Sequence, residues 1–178
     1  EKIGQVKGAG RVLGCAGIAI VGLIVFLIGN PLTVIPAGHV GVKDLFGSVS
    51  PGVLGPGVGV VLPFTRVVKM SVQTQEIKEQ ADVPSKEGLI LNLEVSLLFQ
   101  LDPAKAVDIY KTVGRDYVGT IVEPQFRSAI REITASYEAK ALYSSEREKI
   151  SGEILSLFKR IAGERGIQVQ AVLLRKIG

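Results

Sequence analysis

The stretch LILNLEVSLLFQL, residues 89–101, decides the fold. Leu89, Leu91, Leu93, Val95, Leu97, Phe99 and Leu101 occupy alternate positions, with Asn92, Glu94, Ser96 and Gln100 between them. Side chains on a strand point to opposite faces in turn, so this spacing predicts a strand with one buried face. A helix would scatter the same residues around its axis.

Working outward, Pro84 to Gly88 reads as a turn, and Val67 to Val83 as a long partner strand. In that segment Val68, Met70, Val72 and Thr74 alternate, then the phase slips, and Ile77, Ala81 and Val83 carry the apolar face. A bulge is the expected cause. Two strands so close in sequence form an antiparallel hairpin. His39 to Phe46 predicts another strand, with Val40, Val42 and Phe46 on one face. Between these, residues 48–64 are dense in glycine and proline and read as turns.

After residue 101 the period becomes helical. Asp102 caps a helix that has Pro103 at its first position and ends by Thr112 before Gly114. Arg115 to Ser136 is a second helix, with Phe126, Ile130, Ile133 and Tyr137 at helical spacing and Pro124 marking a kink or first turn. Ser145 and Glu148 have the spacing of a capping box for a third helix, with Ile150, Ile154, Leu157, Phe158 and Ile161 on one face. Gly166 suits its C-terminal end. Ile167, Val169, Ala171, Leu173 and Ile177 alternate in a last strand. Three strands, three helices and a strand make an α+β domain, not a doubly wound sheet.

The N-terminal region reads differently. No charged residue lies between Arg11 and Lys43, and Val12 to Ile28 has neither charge nor proline. As a helix this run spans roughly 25 Å, near the lower limit for crossing a bilayer. The expected span is carried by Val12, Leu13, Ile18, Ile20, Val21, Leu23, Ile24, Val25, Phe26, Leu27 and Ile28. A signal peptide fits less well, because Gly29-Asn30-Pro31-Leu32 is a poor cleavage site. Lys2, Lys7 and Arg11 precede the run, which places the N-terminus on the cytoplasmic side. Gly10 and Gly14 form a small-xxx-small pair, common in membrane helices. The expected division is a tail at 1–11, a transmembrane helix at 12–29 and the α+β domain at 30–178.

The chemistry on offer is sparse. The chain has 178 residues with one cysteine and one histidine, which excludes a disulfide framework and a Cys/His metal cluster. Lysine plus arginine number 21 and aspartate plus glutamate 17, and the resulting +4 gives no support for a nucleic-acid partner. Gly57-Val58-Gly59 begins a phosphate-loop pattern, but Leu62 stands where the third glycine belongs and Pro63 prevents a helix from opening. His39 beside Pro36-Ala37-Gly38 reads as a turn residue. Glu123, Glu132 and Glu138 read as a solvated helix face, and Ser144 and Ser145 as capping groups. Cys15 lies inside the apolar run, with no base to activate it. No catalytic centre, cofactor site or metal site is expected.

The segments IPAGHVGVKDLFGSV, PGVLGPGVGVVLPF, QTQEIKEQADVPSKEGLILNLEVSLLFQLDP, VGRDYVGTIVEPQFRSAIREITASYEA and SSEREKISGEI occur in that order. Their succession resembles the prohibitin branch of the SPFH superfamily (stomatin-prohibitin-flotillin-HflK/C), also called Band 7. The resemblance implies a membrane-anchored scaffold, not an enzyme, that assembles into large ring- or cage-like homo-oligomers, in some cases with a paralogue. It implies organisation of membrane microdomains and association with FtsH-type AAA proteases in membrane-protein quality control. The implied setting is a bacterial inner membrane or, failing that, the mitochondrial inner membrane. A membrane-bound serine protease is the alternative. A coiled coil follows this domain in the family, and the chain stops at Gly178 where it would begin, so a longer protein is expected. Within this picture Leu54, Val60, Val61, Leu62 and Phe64 are the expected contacts with the lipid surface.

Overall fold

The computed structural model describes residues 17–24, 26, 28–29 and 31–177. Its centre is the 89–101 stretch, seen as a strand at Ile90–Leu101. Leu91, Leu93, Val95, Leu97, Phe99 and Leu101 are all buried. Leu89 falls outside the strand and is exposed.

Among the described residues, seven strands lie between the helical residues near the N-terminus and the later helices: β1 (Leu32–Ile35), β2 (His39–Leu45), β3 (Ser48–Leu54), β4 (Gly57–Val60), β5 (Arg66–Ser71), β6 (Gln75–Pro84) and β7 (Ile90–Leu101). The helices are α1 (Ala106–Thr112), α2 (Glu123–Thr134), α3 (Ala139–Tyr143) and α4 (Arg147–Gly163), and β8 (Ile167–Ile177) closes the chain. The α+β class is as expected. Three antiparallel sheets form, in the orders β1-β4, β3-β2-β5 and β6-β7-β8.

The β6–β7 hairpin has the expected pairing, from Gln75 opposite Phe99 to Pro84 opposite Ile90. The single bulged strand from Val67 to Val83 does not. It is two strands, β5 and β6, that belong to different sheets. The phase slip at Val72–Thr74 is where the chain leaves one sheet for the next. Likewise, the glycine- and proline-rich region holds β3 and β4 as well as turns, and a further strand, β1, follows Pro31.

Asp102 caps as predicted: its Oδ1 accepts from the Ala104 N–H at 2.9 Å, and Pro103 opens a 3-10 turn before α1. The expected single helix at 115–136 is a π-helical turn, Val118–Val122, followed by α2, with Pro124 in its first turn. The capping box is not made. The long helix starts at Arg147, and it is the Ser144 Oγ that accepts, from the Glu146 N–H at 3.2 Å. The short helix α3 was not foreseen, since Ala139–Tyr143 is too brief to show a period. In β8 a register shift against β7 reverses the alternation, so Val172 is buried and Leu173 is turned outward. Gly166 holds φ +82° in the turn before β8, where an added Cβ would collide with the Lys105 side chain.

The helices cover one face of the β6-β7-β8 sheet, α2 against β6 and α4 against β8. Phe126 and Phe158 are fully buried there, with ring centroids 5.3 Å apart at a tilted angle favourable to aromatic pairs. The core continues into the short sheet through Val40, Val42 and Met70.

Residues 17–24, 26 and 28 are helical. No helix among the described residues is long and apolar enough to cross a membrane. The described residues therefore do not themselves show the expected crossing helix at 12–29, of which 12–16, 25 and 27 lie outside them. Val12, Leu13, Val25 and Leu27, with Gly10, Gly14 and Cys15, lie outside the described residues.

Candidate membrane-contact surface

The feature that stands out is an apolar face on the two-stranded sheet. In an antiparallel pair, directly opposed residues share a face. Leu32 faces Val60 and Val34 faces Val58. All four point outward, and with Leu62 they are 58 to 73% exposed. The opposite face carries Thr33, Ile35, Gly57 and Gly59. Ile35 is buried, with its Cδ1 against Gly41 of β2.

Further exposed apolar residues flank the ribbon in the chain. Ile18, Ile20, Val21, Leu23, Ile24, Phe26 and Ile28 are exposed on the helical residues before β1. The link between the two regions is made by backbone bonds. The Phe64 N–H donates to Gly29 O at 3.0 Å, and the Val61 N–H donates to Pro31 O at 2.8 Å. Phe64 is exposed and has φ +67°, a left-handed conformation that costs a bulky residue about 1–3 kcal/mol. Phe46 repeats this at the β2–β3 turn, with φ +50° and 87% exposure. A soluble surface tolerates scattered apolar residues, but a contiguous patch marks a contact surface.

Of the expected lipid contacts, Val60, Leu62 and Phe64 are exposed and Leu54 is half-buried. Val61 is 8% exposed and faces inward, because the chain alternates through this segment. Leu32, Val34 and Val58 belong to the surface and were missed. Their signal was present as alternation at 32 and 34 and at 58, 60 and 62, but glycine and proline masked it.

Elsewhere the surface carries hydrogen-bonded polar groups. On the outer face of the long sheet Arg175 Nη2 meets Glu76 Oε1 at 2.9 Å, across the central strand. Gln170 donates to Thr74 Oγ1 and to Gln100, which in turn donates to Gln168. Glu79 is nearly buried, and its Oε1 accepts from Arg127 Nε at 2.5 Å. Among the described residues no group of three or more metal-ligating side chains converges. His39 stands opposite Ser71, but its Nδ1 lies 3.3 Å from Ala37 O, and the Ser71 Oγ accepts from the Gln73 N–H. Glu123 and Glu132 lie on α2 and Glu138 just before α3, on separate elements.

Comparison with known proteins gives the same domain. Residues 33–178 match the family model described as SPFH domain / Band 7 family. The chain is 23% identical to Erlin-1 of Mus musculus over 163 residues, covering 89% of this chain and 47% of that protein. It is 24% identical to Erlin-1 of Danio rerio over 169 residues, covering 92% and 49%. It is 25% identical to Prohibitin-2 of Colletotrichum higginsianum over 173 residues, covering 96% and 55%. The chain thus spans about half the length of the curated relatives it matches.

Proposed function

The chain belongs to the SPFH domain / Band 7 family, and from that premise we propose that it is the membrane-facing part of a scaffold whose copies stand side by side in a large oligomer. The observation that carries the reading is the exposed apolar face formed by Leu32, Val34, Val58 and Val60, with Leu62 and Phe64 exposed just after it in the chain. It lies flat on the lipid surface, and the apolar run Val12–Ile28 anchors it, with residues 1–11 on the cytoplasmic side and the domain at 30–178 across the membrane. Shallow burial suffices, because the anchor supplies most of the affinity.

The oligomer is a ring or cage, homomeric or shared with a paralogue, in a bacterial inner membrane or the mitochondrial inner membrane. It organises membrane microdomains and holds an FtsH-type protease in membrane-protein quality control. The protein is a scaffold in this reading, with no reaction of its own. Nothing in the geometry of His39 favours the serine-protease alternative.

Flotation with lipid vesicles tests the reading. The Leu62→Ser/Phe64→Ser variant of a chain lacking residues 1–30 is expected to stay at the bottom of the gradient while the same shortened chain without substitutions floats. Equal flotation of both would sink the contact surface. Electron microscopy in gentle detergent tests assembly, where monomers alone would sink the oligomer.

A further inference from the structure

A basic hollow of about 340 Å³ lies beside the apolar face, lined by Arg66 and Lys69 of β5, by Tyr110 of α1 and by Arg115 of the following loop. Its three cations are exposed. The ion pairs among the described residues are Lys105 with Asp108, Arg127 with Glu79 and Arg175 with Glu76, so none of the three is in one. Asp44 stands directly opposite Arg66 in the β2–β5 pairing. Its oxygens are already engaged, Oδ1 by the Gly47 N–H at 2.8 Å and Oδ2 by the Tyr110 hydroxyl at 2.9 Å. Arg66 and Arg115 are left to bind something else, and a guanidinium matches a phosphate in two parallel hydrogen bonds.

The hollow's position says which phosphate. Arg66 follows Phe64 by two residues, and its pairing with Asp44 puts it at the end of the short sheet where β2 runs into Phe46. Phe46, Leu62 and Phe64, three exposed apolar side chains, therefore stand at the same end as the cations. Apolar residues at the acyl boundary with arginines just behind them is the arrangement of an interfacial anchor. We infer that the hollow lined by Arg66, Arg115 and Tyr110 receives the anionic headgroup of a phospholipid in the surface that Leu62 and Phe64 enter. The inference rests on the membrane-contact reading above and adds a lipid class to it.

The test compares partition of the full chain to vesicles of phosphatidylcholine alone and of phosphatidylcholine with phosphatidic acid, and measures melting with added inorganic phosphate. The full chain is expected to prefer the acidic vesicles. Arg66→Gln/Arg115→Gln should lose that preference, by roughly thirty-fold if each cation near the surface contributes as usual, while keeping its binding to neutral vesicles. If the double variant does not fold, Arg115→Glu alone, in an exposed loop, is expected to act in the same direction. A double variant that keeps the acidic preference overturns the inference. So does a chain whose melting responds to phosphate but which shows no acidic preference, because the hollow would then serve a free anion. Binding to neutral vesicles without acidic preference defeats the headgroup site only, whereas no binding to either vesicle defeats the contact surface itself.

Discussion

Tyr110 of α1 donates its phenolic hydrogen to Asp44 of β2 at 2.9 Å, and so ties the helical layer to the short sheet. The two residues are far apart in the chain, and each comes from an element with its own local pattern. The Asp44 carboxylate holds the Tyr110 phenol above its ordinary pKa, chiefly through this hydrogen bond. A pKa raised on folding means that the tie stabilises fully below the unfolded value of about 10 and is lost as pH rises through the folded one. Tyr110→Phe should cost about 1 kcal/mol at neutral pH, and the difference from the parent should vanish in strong alkali. Urea unfolding across that range checks it.

Gly41 is the point where the apolar ribbon seats on β2. A methyl group there would stand 2.6 Å from Ile35 Cδ1 and 2.8 Å from Val67 Cγ1. Gly41→Ala is expected to destabilise by about 1–3 kcal/mol through overpacking and to expose Ile35. Thermal melting gives the first number, and hydrogen exchange over 32–35 and 57–60 reads the second.

Phe126 and Phe158 lock α2 to α4. Either one changed to alanine leaves a cavity with fully buried walls, and a loss of about 3–5 kcal/mol is expected. Denaturant midpoints that move by much less would mean that the two helices collapse onto the gap.

Glu79 depends on Arg127. The carboxylate is nearly buried while the arginine is half exposed. Arg127→Met strands the charge and should cost about 1–3 kcal/mol, whereas Arg127→Met with Glu79→Gln should recover part of it. A double-mutant cycle that shows no coupling would overturn this.

Val58 and Val60 stand on the apolar face and contribute nothing to the core. Val58→Ser/Val60→Ser should leave stability within about 0.5 kcal/mol of the parent and weaken vesicle partition by roughly tenfold or more. Co-sedimentation with and without vesicles separates the two effects.

The most legible parts of the chain were those where a period ran uninterrupted. Alternation over 89–101 marks the central strand, because one face of β7 is buried along its length. The spacing of Phe126 and Ile130, and of Ile150, Ile154 and Phe158, marks the helices that cover it. Asp102 and Pro103 announce a helix start through chemistry that acts within a few residues. The exposed apolar face was half visible. Val60, Leu62 and Phe64 were recognised as apolar residues in a turn-rich region, but Leu32 and Val34 were not, because β1 is only 4 residues long and its partner β4 follows two other strands.

The sequence by itself determined the α+β class, the central hairpin, the helical layer and the family, because these rest on local periodicity and on an ordered run of motifs. Tertiary structure decided the rest. It split residues 67–83 between two sheets, reversed the phase of β8 with a bulge, and turned Val61 inward. It also brought Leu32 against Val60, and Arg66 beside Tyr110 and Arg115. Strand pairing joins residues distant in the chain, and which face of a short strand is buried depends on what packs there. Local spacing carries no record of either.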